Sequence, residues 1–332
     1  MSSIGANKKN FEDKDSYIIE IQQLKKHFKE IKAVDGVSLK IRKGELFSIL
    51  GPNGAGKTTL VRMLCTILTP TSGDATIKGH SILRGKKEIV KLIGVCPQDI
   101  VIYDVLRAEE NVEFVARMHN ITHKDAKEKA KLLLDKFGIV GRKDRSKHFS
   151  GGMKRRLNLV MALVFDPEIL FLDEPTAGLD PQARRLVWDF IRDLKKKDIT
   201  IILMTHDMVE ADSLSDRIAI LDHGKVIAQG TPTELKEKYG SDNVLQISFM
   251  EQEDLKVVKN SMERISIVAN CKEISSKGKN TLLISFQGGL KNLVQILQHG
   301  IIENINEVEN MKFRQNSLED VFLNLTGRRL RG

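Results

Sequence analysis

No stretch of this 332-residue chain approaches the roughly 18 consecutive apolar residues that a bilayer-spanning helix needs. Its most apolar segments, residues 199–204 and 218–221, are only strand-sized. The opening residues MSSIGANKKNFEDKD lack the apolar core of a signal peptide. The chain is therefore expected in the cytoplasm, reaching a membrane only through a partner. Cysteine is scarce: Cys65, Cys96 and Cys271 stand far apart without metal-ligand spacing. This argues against a disulfide framework or a zinc site and for reduced thiols. Aromatic residues make up 5% of the chain, too few for the stacking platform of a single-strand binder, and no nucleic-acid partner is expected. Internal repeats and coiled-coil heptads are absent.

Hydrophobic residues at 41% and charged residues at 29% suit a globular fold of one large domain or one plus a smaller one. The net charge of +9 is uneven. Residues 241–332 hold 12 basic and 11 acidic side chains, so nearly all the excess lies in the first 240. Such a surface suits nucleotides, nucleic acid or an anionic membrane face, or is simply a solvated basic face.

Residues 1–16 are polar and expected to be disordered. Apolar clustering then predicts strands at 17–23, 37–41, 46–50, 93–95, 169–172 and 200–204. Two more, 218–222 and 225–229, flank the turn residues His223-Gly224. Helices are expected at 59–68, 125–137 (stopping at Gly138) and 181–196, and residues 100–165 are mostly helical in pattern. Short apolar strands separated by helices indicate a mainly parallel α/β core. From residue 241 the order changes. Strands at 243–250, 265–269, 281–286 and 301–311, with helices at 251–261, 290–298 and 317–325, give βαββαβ plus a final helix. This predicts a small α+β, ferredoxin-like domain over 241–332.

GPNGAGKTT, residues 51–59, fits G-x-x-x-x-G-K-[ST]. It follows an apolar strand and opens a helix. Gly51, Gly54 and Gly56 let the loop through Pro52, Asn53, Ala55 and Thr59 wrap around phosphate oxygens, with the N–H groups of its non-proline residues inward. Lys57 supplies a fixed positive charge, and Thr58 a hydroxyl for Mg²⁺. ILFLDE, residues 169–174, ends a buried-type strand on two acids, 116 residues after Lys57. Asp173 suits Mg²⁺ and Glu174 suits the attacking water, the two needs of phosphoryl transfer. FSGGM, residues 149–153, precedes a helical pattern. Ser150, Gly151 and Gly152 there form a second anion site, at a helix N-terminus.

Two phosphate cradles in one chain resemble the ABC ATPases, whose nucleotide lies between the P-loop of one subunit and the signature loop of another. The usual LSGGQ is here Phe149-Ser150-Gly151-Gly152-Met153, which keeps the Ser-Gly-Gly contact. The remaining family motifs follow. Gln98, in CPQD, matches the residue that senses Mg²⁺ and water. Asp180, in AGLD, matches the residue that reaches across the dimer. His206, in LMTHD, matches the switch histidine on the γ phosphate, and Phe28 the aromatic under adenine.

The resemblance covers about residues 17–235. It implies a P-loop cassette over 17–240 with a RecA-like core, an antiparallel β part and a helical subdomain at about 100–165. It further implies ATP and Mg²⁺ as ligands and hydrolysis by Glu174, His206, Gln98 and Lys57. The working form it implies is a homodimer, or a pair with a related ATPase, peripheral on the cytoplasmic membrane face. Residues 103–111 (YDVLRAEEN) would be the dock for a separate multi-span permease; without that likeness they read as a solvated helix start. The tail QNSLEDVFLNLTGRRLR, residues 315–331, resembles that of daunorubicin-type exporter ATPases. The implied function is an exporter's ATPase subunit, with an importer ATPase or a non-transport ABC ATPase as the rival classes.

Overall fold

The computed structural model describes residues 17–139, 141, 143–240, 242–249, 252–276, 279–288, 290–298 and 308–326, so the expected disorder of 1–16 lies outside the described residues. The chain divides into two compact units, 1–229 and 230–331.

In the first unit, β1 (Tyr17–Phe28), β2 (Ile31–Arg42), β3 (Leu46–Leu50), α1 (Lys57–Leu64), β4 (Ser72–Ile77), β5 (His80–Ser81), α2 (Lys86–Leu92) and β6 (Ile93–Cys96) come first. The helices α3 (Ala108–Met118), α4 (His123–Lys136) and α5 (Gly151–Leu163) follow. The unit closes with β7 (Ile169–Asp173), α6 (Pro181–Lys195), β8 (Thr200–Thr205), α7 (Met208–Leu214), β9 (Arg217–Asp222) and β10 (Lys225–Gly230). One sheet runs β2-β1-β4-β5, with antiparallel pairing. The other runs β10-β9-β3-β8-β7-β6, and β9 through β6 are parallel.

Side-chain alternation explains why β3, β7 and β8 are mostly apolar on both faces. Phe47, Ile49, Phe171, Ile202 and Met204 point into a core shared with β1, β2 and α1. Leu46, Leu170, Leu172, Ile201 and Leu203 point into a second core with α3, α4, α5 and α6. Both faces are covered, so both are mostly apolar, and the polar residues among them, such as Ser48 and Thr200, are hydrogen-bonded. Each fully buried side chain of this size contributes about 1.5–3 kcal/mol. In register, Leu50 stands beside Thr205, Asp173 beside Met204, and Cys96 beside Leu172. Four strands therefore end together, and their following loops emerge at one edge, where open parallel sheets bind ligands.

The helix starts are chemically marked. Thr122 caps α4, Asp180 caps α6 ahead of Pro181, and Asp207 caps α7. The expected helix at 59–68 begins earlier, at Lys57, and stops at Leu64.

The second unit holds α8 (Pro232–Tyr239), β11 (Asn243–Phe249), α9 (Gln252–Met262), β12 (Val268–Ser276), β13 (Lys279–Phe286), α10 (Leu290–Ile296), β14 (Val308–Arg314) and α11 (Leu318–Thr326). Residues 301–307 of the expected last strand lie outside the described residues. The sheet is antiparallel in the order β12-β13-β11-β14. Leu245, Ile247, Leu282 and Ile284 pack on Leu255, Val258 and Met262 of α9. Helix α8 belongs to this unit and pairs with α11. The Asn316 side chain donates to Lys236 O (2.6 Å), and that of Asn324 donates to Tyr239 O (3.0 Å). Ser317 and Asp320 cap α11 reciprocally, with Ser317 Oγ donating to Asp320 at 2.9 Å and receiving the Asp320 N–H at 3.3 Å.

Candidate functional site

The loop from β3 to α1 wraps as the glycines require. Gly56 has φ +105°, and a Cβ there would stand 2.1 Å from Ala33 O. A Cβ on Gly51 would stand 2.2 Å from Leu221 O. Side chains are excluded at both places by backbone, not by mobile groups. The loop edges a cleft of about 700 Å³ that includes Pro52, Asn53, Gly54, Lys57, Thr58 and Thr59. Gln98, Glu174, Ile31 and His223 also line it. Phe28, expected under adenine, is not among the lining residues; its ring is 45% exposed, with Lys26 Nζ 5.1 Å from its centroid.

Lys57 is 5% exposed and folds back on its own loop, donating to Gly51 O (2.7 Å) and Pro52 O (3.1 Å). Burial pulls its pKa below the usual lysine value, against the opposing charges of Glu174 and Asp173. Glu174 Oε1 lies 3.8 Å from its ammonium.

Asp173 comes from the end of β7. Its Oδ2 accepts the Thr58 hydroxyl at 3.0 Å, while its Oδ1 is buried without a hydrogen-bond partner. Burial, foremost, raises its pKa. A hydroxyl beside a half-satisfied carboxylate is a hard oxygen donor set that fits Mg²⁺. Among the described residues no group of three or more His, Cys, Asp or Glu side chains could hold a metal unaided. A cation here would share its coordination with phosphate oxygens.

Glu174 is nearly buried and gathers the other motif residues. His206 Nδ1 lies 2.9 Å from its Oε1, and Gln98 Nε2 donates to its Oε2 at 3.3 Å. Its backbone is left-handed, φ +51°, a region uncommon for residues with a side chain. The backbone is held by Glu174 N–H donating to Met204 O at 2.9 Å and by Ala177 N–H donating to Glu174 O at 3.1 Å.

Ser150, Gly151 and Gly152 do not line this cleft. They form the start of α5, where Ser150 caps by accepting the Met153 N–H at 3.3 Å. Asp180 likewise stands apart, accepting the N–H groups of Gln182 and Ala183, both at 2.9 Å. The P-loop, Lys57, Gln98, Glu174 and His206 thus come together within one chain, and Ser150, Gly151 and Gly152 do not join them.

Two side chains in the surrounding shell were not singled out by the motifs. Buried Arg155, on α5, reaches backbone carbonyls of the loops that carry Gln98 and Glu174. Glu210, on α7, is buried where it accepts Thr176 Oγ1 (2.7 Å) and Trp188 Nε1 (3.0 Å). Burial raises its pKa. Arg155 sits in the run Lys154-Arg155-Arg156, and only helical phase separates the three. Lys154 points out to Asp104 (2.9 Å), and Arg156 reaches Phe137 O (2.6 Å).

Comparison with known proteins bears on this geometry. The sequence pattern of the ABC transporter family matches residues 34–177. The linearmycin resistance ATP-binding protein LnrL of Bacillus subtilis is 36% identical over 316 residues, 95% of this chain and all of that one. The daunorubicin/doxorubicin resistance ATP-binding protein DrrA of Streptomyces peucetius is 37% identical over 310 residues, 93% of this chain and 92% of that one. A dimeric ATP-binding cassette solved in a post-hydrolysis state with ADP and Pi superposes with a TM-score of 0.59 at 26% identity. That match covers 64% of this chain and 98% of the cassette.

Proposed function

The chain belongs to the ABC transporter ATP-binding proteins of the daunorubicin-resistance type, and from that premise we propose that it drives an exporter whose membrane-spanning part is a separate polypeptide. It binds ATP and hydrolyses it. Among the described residues no helix is long and apolar enough to cross a membrane, which supports a separate permease. The reading rests on one observation above the rest: Glu174 stands in the P-loop cleft, 3.8 Å from Lys57, held by Gln98 and His206.

The division of labour follows from position. The N–H groups of the P-loop and the Lys57 ammonium hold the phosphates. Thr58 and Asp173, with Gln98 as a further oxygen donor, would hold Mg²⁺, which would supply charge neutralisation at the phosphate oxygens. Glu174 orients the attacking water and accepts its proton. His206, now on Glu174 Oε1, contacts the γ phosphate when nucleotide fills the cleft. Ser150 and Gly152 lie outside the cleft and supply the anion site of a second copy's nucleotide, or of a related ATPase's. ATP bridges the two halves, so closure is favoured only while the γ phosphate is present, a ligand-biased switch. Hydrolysis removes the bridge, the pair reopens, and that cycle is passed to the permease on the cytoplasmic membrane face.

The test is co-purification from native membranes of Glu174→Gln, which traps the ATP-closed pair. Recovery of an ATP-dependent complex with a multi-span protein is expected. A trapped pair that stays out of the membrane fraction, or that brings ribosomes or nucleic acid with it, rejects the exporter reading and leaves the ATPase.

A further inference from the structure

We infer that Arg155 is a positioning residue for hydrolysis, fixing Gln98 and Glu174 relative to one another from the helix that begins at the signature loop. Its side chain is 3% exposed. One guanidinium nitrogen, Nη1, donates to Pro97 O (2.8 Å) and Gln98 O (2.7 Å). The other, Nη2, donates to Asp173 O (3.1 Å) and, closely, to Glu174 O. One planar cation thus spans the loop after β6 and the loop after β7, whose side chains Gln98 and Glu174 meet through a single 3.3 Å contact.

The arrangement needs an arginine. Four carbonyls facing a buried point call for several donors in a fixed fork, which a guanidinium has and an ammonium lacks. It also acts on a residue with left-handed backbone, Glu174 at φ +51°. The carboxylate of Glu174 is aimed by that conformation, so the hydrogen bond to Glu174 O helps hold the aim. Arg155 lies on α5, five residues after the capping Ser150. A movement of the signature helix therefore reaches both loops through a rigid group. Arg155 itself does not line the P-loop cleft.

The inference rests on the proposed roles of Glu174 and Gln98 at the attacking water. The test is steady-state ATP hydrolysis by Arg155→Lys in the full chain, alongside thermal melting and binding of a fluorescent ATP analogue. Lysine keeps the charge and the stem but loses the fork. Misplacing reacting groups by about 1 Å costs on the order of 100-fold in rate. The expected result is kcat down about 10- to 100-fold, with nucleotide affinity within about twofold of wild type by the same reasoning. A kcat within twofold of wild type overturns the inference, as does an affinity that falls as far as kcat. If Arg155→Lys melts below the assay temperature, Arg155→Gln is read by the same two criteria. Glu174→Gln assayed in parallel separates the two ideas. A wild-type rate in that variant sinks the role given to Glu174 and this inference with it, whereas a lost rate there beside an unchanged Arg155→Lys kcat sinks this inference alone.

Discussion

Replacing Asn111 with alanine has a cost that follows bond by bond. Asn111 is fully buried on α3, behind the loop expected to meet the permease. Its Oδ1 accepts the Tyr103 N–H at 2.8 Å, and its Nδ2 donates to Tyr103 O (3.1 Å), Arg107 O (3.0 Å) and Ser146 Oγ (3.1 Å). Most of these acceptors keep another donor in the variant. Tyr103 O still receives the Leu106 N–H at 3.0 Å, and Arg107 O still receives the N–H of residue 111 at 3.0 Å. The groups that lose their partner are the Tyr103 N–H and Ser146 Oγ. Ser146 Oγ is buried, and an orphaned buried polar group costs about 1–3 kcal/mol; Tyr103 is 47% exposed, so its N–H can turn to water, and a small unfilled void adds about 1 kcal/mol. Alanine's better helix propensity returns about 0.5 kcal/mol. The net expected loss is about 2–3 kcal/mol, read as a lower urea midpoint at unchanged slope. Trypsin should cut faster after Arg107, while binding of ATP at the distant P-loop stays at wild type. A loss below about 1 kcal/mol, or ATP binding lost while the fold holds, would refute the reasoning.

Asp173→Asn should abolish hydrolysis yet stabilise the nucleotide-free protein at neutral pH. Burial raises the pKa of Asp173, so the native chain holds the proton more tightly than the unfolded chain. Its ionised form therefore weakens the fold above the raised native value, and this penalty fades as pH falls toward 3.8. Urea midpoints of the two proteins should converge in acid, and a variant less stable at pH 7 would contradict the assignment. Gly56→Ala should lose at least about tenfold in ATP affinity, or ~1.4 kcal/mol, by titration calorimetry. Gly54→Ala, where a Cβ meets open space at φ +82°, should lose less, and equal affinities would remove the steric argument.

The parallel core was legible because both sheet faces are buried, leaving apolar runs such as Leu46–Leu50 and Thr200–Thr205 between punctuating turns. The cleft was legible for a different reason. The loop passes against the carbonyls of Leu221 and Ala33, and that close approach forces glycine at Gly51 and Gly56, visible as spacing. Short pieces escaped: β4, β5, α2 and α7 are two to seven residues long, below the length at which periodicity speaks. Arg155 escaped because a buried guanidinium and a solvated one look alike in a basic run. Its role depends on four carbonyls drawn from residues 18 to 58 positions away. Phe28 was placed by spacing alone, and spacing along β1 fixes which residue it is without fixing what its ring covers.

The pairing of α8 with α11 sets an order of events during synthesis. Tyr239, whose carbonyl receives the Asn324 amide, leaves the peptidyl transferase centre 85 residues before its partner does. At roughly 5–20 residues per second, α8 waits on the order of 4–17 s for that contact. The edge strand β14 and the capping residues Ser317 and Asp320 are made in the same last interval. The second unit is thus completed from its final residues backward, as the closing segment fastens onto the first helix made. Throughout that wait the central strand β11 is paired at most with β13, its other hydrogen-bonding edge open to any chain nearby.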